Sequence, residues 1–97
     1  MTNGARGEVQ VEIGGVSRRL CLTLGALAEI ETVLEADGLE ALGARLSRLG
    51  AADLDVVLRA LLRGGGEAAL AGQAEALNIN PKEAARGVAE AFRRAFA

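Results

Sequence analysis

The chain has 97 residues, a hydrophobic fraction of 51% and a formal net charge of −2, which suits one small folded domain. The near balance of 11 basic and 13 acidic residues argues against a dedicated nucleic-acid binder, and no apolar run is long enough to cross a membrane. With no histidine and one cysteine the chain can form neither a Cys/His zinc site nor an internal disulfide. We therefore expect no metal or cofactor, and a reducing, cytoplasmic location.

The pattern of the chain predicts an α+β fold that is mainly helical, with an N-terminal β-hairpin followed by four to five short α-helices. Residues 1–6 show no periodicity, so we expect them to form a flexible arm. The single domain is predicted over residues 7–97, with the hairpin over 7–22 and the helical part over 23–97.

The hairpin is predicted from strict alternation before a glycine pair. Val9, Val11 and Ile13 alternate with polar residues, which is typical of a half-buried strand. Gly14–Gly15 then supplies two turn residues that can take positive φ. This turn places Val11 opposite Arg18 on the apolar face. Either Arg18 extends its charged end to water from the edge of the sheet, or the loop is longer and the register differs.

Two amphipathic helices are expected after the hairpin. Thr23 is a suitable N-cap for the first helix, which should end at Asp37–Gly38. The second should end at Gly50. Their apolar stripes are Leu24, Leu27, Ile30 and Leu34 in the first helix, and Leu39, Leu42, Leu46 and Leu49 in the second.

The strongest helix signal lies in the stretch DLDVVLRALLRGGG, residues 53–66. Its apolar residues recur at i, i+3, i+4, i+7 and i+8, a spacing that lines one wide helix face. We expect this face to form the centre of the core, and the three glycines to end the helix. The residues of the face are Leu54, Val57, Leu58, Leu61 and Leu62.

Two further helices are predicted towards the C-terminus. One is Ala-rich and covers residues 67–77, although Gly72 weakens it. The last begins at Asn80–Pro81, a capping residue followed by a proline at the first helical position. Its predicted apolar face comprises Ala85, Val88, Ala89, Phe92 and Phe96. Docking of this face onto the core is favoured over engagement of a partner in a groove.

No pattern in the chain indicates catalysis. The glycines before Glu67 lack the spacing of a phosphate-binding loop and place a negative charge where the phosphate would lie. Cys21 has no histidine to activate it. The basic residues of the last helix are too few for a nucleic-acid surface. We therefore predict that the protein is not an enzyme.

Partner binding is the remaining kind of site, and two surfaces are candidates. A hairpin of two strands leaves two edges with unpaired backbone groups, which can pair with a second copy or with an extended peptide. The last helix is the other surface. The candidate residues are Val9, Val11 and Ile13 on the hairpin, and Val88, Phe92 and Phe96 on the helix.

Three segments in order resemble a known family: RGEVQVEIGGVSRRLCLTLGALAEIE, ADLDVVLRALLRGGG and a terminal AAR..AEAFRRAF. They resemble the small tail proteins of gene transfer agents and related phages, which are described as tail assembly chaperone-like proteins and sometimes labelled tail tube proteins. The resemblance covers most of residues 6–96 and implies no catalytic residues. It implies a factor that holds the tape measure protein until tail tube subunits polymerise around it. A tube subunit itself is expected to need a larger sheet than two strands.

Three functions stay open on the sequence. The first is a chaperone or adaptor in tail assembly, with the tape measure protein and the tail tube subunit as partners. The second is a helical nucleic-acid-binding or other protein–protein interaction module. The third is a small enzyme, against which the absence of histidine, tyrosine and tryptophan counts. A homo-oligomer through the hairpin is compatible with the first.

Overall fold

A computed structural model describes residues 7–96, so the arm predicted over residues 1–6 lies outside the described residues. A two-stranded antiparallel sheet comes first, formed by β1 (Glu8–Ile13) and β2 (Val16–Cys21). Helices make up most of the rest, which confirms the predicted α+β, mainly helical class. They are α1 (Leu24–Val33), α2 (Leu39–Leu46), α3 (Ala51–Gly64), α4 (Ala68–Ala71), a 3₁₀ turn (Ala74–Leu77) and α5 (Pro81–Phe96).

Helix α3 lies at the centre of the core. It packs against α1, α5 and β2, and α5 in turn covers β1. Leu58 is 2% exposed and Leu61 is fully buried, as the stripe on this helix predicts. Leu54, at the N-terminal end of the stripe, is only partly buried.

The register of the hairpin is the one that a two-residue glycine turn predicts. Val9 pairs with Leu20, Val11 with Arg18, and Ile13 with Val16. Arg18 avoids the core by extending sideways, so that its Nη1 lies 3.4 Å from Glu67 Oε1. Gly14 and Gly15 both have positive φ, at 60° and 84°.

The glycines at the end of α3 do more than stop a helix. The helix continues through Gly64, and a Cβ atom on Gly64 would overlap the carbonyl oxygen of Cys21. A Cβ on Gly65 would overlap the carbonyl oxygen of Arg19. These two residues must lack a side chain because the backbone of β2 passes directly against them. Gly66 turns the chain, with φ at 85°.

The single helix predicted over residues 67–77 is wrong. The helix ends before Gly72, so that the short helix α4 and a separate 3₁₀ turn replace the single predicted helix. Arg59 stabilises the break, because its Nη1 donates to the carbonyl oxygens of Ala71 at 2.7 Å and of Gln73 at 2.9 Å. Carbonyls that lose their helical partners are thereby satisfied by a side chain from α3.

The first two predicted helices are shorter than their patterns. α1 ends at Val33, after which Glu35 takes a positive φ of 54°, and α2 ends at Leu46. Leu24 and Leu39, each the first residue of a predicted stripe, are 82% and 56% exposed. The predicted caps are present: Thr23 Oγ1 accepts from Ala26 N–H, and Asn80 Oδ1 accepts from Lys82 N–H.

Candidate partner-binding groove

Helix α5 turns a different face to the sheet from the one that its large apolar residues predict. Its buried residues are Ala84, Gly87, Val88 and Ala91, and only Val88 belongs to the predicted face. A Cβ atom on Gly87 would lie 2.5 Å from Val11 Cγ1 and 2.9 Å from Leu20 Cδ1. Small residues on this face let the helix approach the strands closely, and that gain in packing outweighs the burial of larger side chains.

The remaining apolar side of α5 lines an open groove. The opposite wall comes from the end of α2, the loop after it and the first half of α3. The cavity measures about 410 Å³. Its lining residues, which define the α3–α5 groove, are Leu46, Ser47, Leu49, Leu54, Ala85, Val88, Ala89 and Phe92.

A smaller hollow continues the groove towards the start of α5. It measures about 170 Å³ and shares Leu54 with the α3–α5 groove. Pro81 and Ala84 line it from α5, and Leu77, which is 54% exposed, borders it from the 3₁₀ turn. Leu54 therefore lies between two apolar depressions that follow the same pair of helices.

The hairpin residues predicted to bind a partner lie in the core. Val9, Val11 and Ile13 are at most 4% exposed, and Val88 is 5% exposed. In this fold α5 covers the apolar face of the strands, so a partner cannot reach these three side chains.

Phe92 and Phe96 are the predicted partner-binding residues that stay accessible. Phe92 is partly buried and lines the groove. Phe96 is 56% exposed, and its ring stacks on that of Phe92 with 6.5 Å between the centroids. The structure thus brings Phe92, Phe96 and Val88 together along one helix, with Val88 at the floor of the groove.

Side chains cap the outer edge of β1, which the sequence leaves unpaired. The carbonyl oxygen of Gln10 accepts a hydrogen bond from Arg86 Nη2 at 2.9 Å. Arg86 also holds Glu83, with its Nε 3.0 Å from Glu83 Oε1. This hydrogen bond from Arg86, helped by the Glu12 backbone, lowers the pKa of Glu83, and the same hydrogen bond raises the pKa of Arg86.

The edge of β2 is contacted in a similar way by the end of α3 and by Glu67, which follows the glycines. The N–H of Arg19 donates to Glu67 Oε2 at 3.1 Å, and the Gly64–Gly65 backbone packs against the neighbouring carbonyls. The edge pairing expected from the sequence would have to displace these contacts. Each of the edges expected to be free in a two-stranded hairpin therefore has a backbone group bonded by a side chain of the same protein.

Three of the four basic residues of α5 form ion pairs within the helix, two of them with the same carboxylate. Arg86 pairs with Glu83, and both Arg93 and Arg94 pair with Glu90. These ion pairs engage arginines that phosphate contacts would otherwise use, and the absence of a nucleic-acid partner stays a prediction.

The described residues contain one free thiol and no cluster of metal-ligating side chains. Cys21 is half-buried, and burial followed by the charge of Glu8 raises its pKa, so it is a poor nucleophile. Residues 7–96 contain no group of three or more His, Cys, Asp or Glu placed to hold a metal ion. Over the same residues, no helix is both long and apolar enough to span a bilayer.

Comparison with known proteins identifies the family. The sequence model of the family described as phage tail tube protein, GTA-gp10 matches residues 6–97. The chain therefore belongs to this family of phage and gene transfer agent tail proteins, which confirms the resemblance found in the sequence. No curated protein and no solved structure matches the chain.

The groove was not predicted from the sequence, where Leu46 and Leu49 belong to the apolar stripe of one helix and Leu54 to the central face of another. The signal that could have found it lies in α5. Small residues at positions 84, 87 and 91 repeat at i, i+3 and i+7, which marks a face for close packing. Ala85, Val88, Ala89 and Phe92 then form a second apolar side, with the larger Val88 and Phe92 on it, that the rest of the chain does not fully cover.

Proposed function

We propose that the protein is a non-enzymatic assembly factor of phage-like tails, a chaperone or adaptor that holds an apolar segment of the tape measure protein in the cytoplasm before the tail tube forms around it. Membership of a tail protein family supports the setting. The observation that carries the proposal is the open α3–α5 groove, whose lining is aliphatic and aromatic except for Ser47.

The shape and chemistry of the groove favour binding of another protein. Pockets that bind small substrates hold several convergent polar groups, whereas the lining of this groove has a single hydroxyl. Leu49 and Phe92 are partly buried, so they keep apolar surface that a partner can cover. Burial of such surface is the main favourable term in protein association.

The sheet favours an adaptor over a tube subunit. A tube wall needs strands that continue from one subunit to the next or a large sheet within each subunit. Within residues 7–96 the sheet has two strands, and Glu67 and Arg86 occupy backbone groups at its two edges. A partner tube subunit would therefore meet the helices more readily than the strands.

Co-expression with the tape measure protein tests the proposal. Ala89 is exposed on α5 and lines the groove, so Ala89→Glu places a charge in the apolar site with little effect on the fold. Ala28 is exposed on α1 outside the groove, and Ala28→Glu is the matched control. We expect the parent and Ala28→Glu to co-purify with the tape measure protein, and Ala89→Glu to lose about tenfold or more in affinity.

Two results would contradict this function. One is a parent protein that does not associate with the tape measure protein at micromolar concentration. The other is equal co-purification of both variants, which would place the client elsewhere on the surface.

A further inference from the structure

We propose that the occupant of the groove is a short amphipathic α-helix of another protein, whose apolar stripe is flanked by acidic residues. This inference rests on the proposed function, because it names the chemical class of the segment that the groove binds. Its evidence is the length of the groove and the distribution of charge on its walls.

The length of the groove fits a helix of a few turns. Between Pro81 in the hollow and Phe92 in the α3–α5 groove, α5 rises by about 16 Å at 1.5 Å per residue. Both depressions open along this length and share Leu54. A partner helix lying along α5 would place apolar residues into them about every three or four positions, the spacing of helix-in-groove recognition.

The walls are basic although the whole chain is acidic. Residues 45–59 and 81–96 carry seven arginines or lysines and four carboxylates, which gives +3, whereas the chain has a net charge of −2. Every one of these carboxylates is already in an ion pair with an arginine of the same walls. The pairs are Asp53–Arg45, Asp55–Arg59, Glu83–Arg86, and Glu90 with Arg93 and Arg94.

Uncompensated positive charge remains on both sides of the groove. Arg48 lies between Ser47 and Leu49, which both line the groove, and it is exposed. Arg48 forms no ion pair with any residue of the described range 7–96. On the other wall Arg93 follows Phe92, and it shares its single acceptor, Glu90, with Arg94. A helix with acidic flanks would complement this rim, and a helix with basic flanks would be repelled.

Synthetic helical peptides test the inference without the tape measure protein. Three labelled peptides of about four turns carry the same Leu and Val stripe, with flanking positions that are all Glu, all Gln or all Lys. We expect the Glu peptide to bind the full-length protein about three- to tenfold more tightly than the Gln peptide at low salt, because each exposed ion pair contributes modestly. The Lys peptide should bind most weakly, and high salt should remove the differences.

Variants of Arg48 and Arg93, the two arginines beside the groove, test whether these charges cause the preference for the Glu peptide. Arg48→Gln with Arg93→Gln removes two positive charges beside the groove, and it should abolish the preference for the Glu peptide. The control, Thr32→Glu with Gln73→Glu, changes the net charge by the same amount at exposed positions that do not line the groove. This control should keep the preference.

Four outcomes would overturn the inference. They are equal affinity for all three peptides, a preference that survives loss of both arginines, tighter binding of labelled duplex DNA than of the Glu peptide, and self-association that Ala89→Glu abolishes. The last would make a second copy the occupant. None of these outcomes involves the tape measure protein. The preference for acidic flanks can therefore be absent although the protein binds the tape measure protein, and it can be present although that binding fails.

Discussion

The two sides of α5 are packed in opposite ways. Towards the sheet, Ala84, Gly87 and Ala91 are buried, and Gly87 lies so close to Val11 that one added carbon would not fit. Towards α3, the larger Phe92 borders a groove that stays open. Large side chains therefore do not mark the tighter side of this helix, because close approach depends on matching shapes and not on apolar area alone.

The same contrast runs along α3. Its C-terminal end touches the backbone of β2 through Gly64 and Gly65, whereas Leu54 near its start lies between two open depressions. The C-terminal end of α3 is thus packed closely against the hairpin, and its N-terminal half borders open apolar surface. The proposed function would use such a division, because the closely packed part supplies stability that an open apolar site does not.

The largest expected effect on stability comes from truncating a core leucine, compared with a leucine that lines the groove. Leu61 is fully buried, so Leu61→Ala should lower the free energy of unfolding by about 2–5 kcal/mol, from lost burial and the cavity left behind. Leu49 lines the groove, where removal of its methyl groups leaves no enclosed cavity. Leu49→Ala should cost about 1–2 kcal/mol. Urea denaturation of both variants measures the difference, and equal costs would mean that the groove side is packed as closely as the core.

Gly64→Ala should give the next largest effect. A Cβ atom at this position has no room beside the carbonyl oxygen of Cys21, so helix and strand must separate, at a cost of about 1–3 kcal/mol. The matched control is Gly43→Ala. Gly43 lies in α2 with no atom within 4 Å of an added Cβ, so alanine should stabilise the protein by about 0.5–1 kcal/mol. Thermal unfolding should give a lower melting temperature for Gly64→Ala and a higher one for Gly43→Ala. A higher melting temperature for Gly64→Ala would show that α3 does not pack closely against β2.

Features that depend on neighbours in the sequence could be predicted from it. The core position of Leu58 follows from the spacing of α3, and the pairing of Val9 with Leu20 follows from the two-residue glycine turn. The caps at Thr23 and Asn80 follow from local hydrogen-bonding rules. In each case a few adjacent residues contain the whole physical cause.

Features that depend on distant residues could not be predicted in the same way. Glu67 caps the edge of β2 through Arg19, from which it is separated by 48 positions. Arg59 donates a hydrogen bond to the carbonyl oxygen of Ala71 at the end of α4, and hydrophobic periodicity does not predict this contact. The orientation of α5 depends on the fit of Gly87 to the strands, whereas a hydrophobic pattern counts only side-chain size. The groove is a consequence of the orientation of α5, so the hydrophobic pattern could not predict the groove either.

The smallest expected effect concerns the capped edge of β1, and it depends on pH. Arg86 donates hydrogen bonds to Glu83 and to the carbonyl oxygen of Gln10, so the ionised form of Glu83 helps to hold α5 on this edge. The hydrogen bond from Arg86 lowers the pKa of Glu83 from its ordinary value of 4.5. A group whose pKa is lower in the folded state adds stability above its unfolded pKa and loses that contribution as the pH falls through the folded pKa.

A double-mutant cycle of Glu83→Gln and Arg86→Gln measures this coupling. At neutral pH the two single variants should each be slightly less stable than the parent, and the double variant should lose less than the sum of both. As the pH falls below the ordinary pKa of Glu83, the parent should lose its advantage over Glu83→Gln, and the coupling should vanish. Urea midpoints at neutral pH and in acid provide the test. A coupling that persists after Glu83 is protonated would mean that the two side chains interact without the charge of Glu83. An absence of coupling at neutral pH would mean that the Arg86–Gln10 hydrogen bond holds the edge without help from the ion pair.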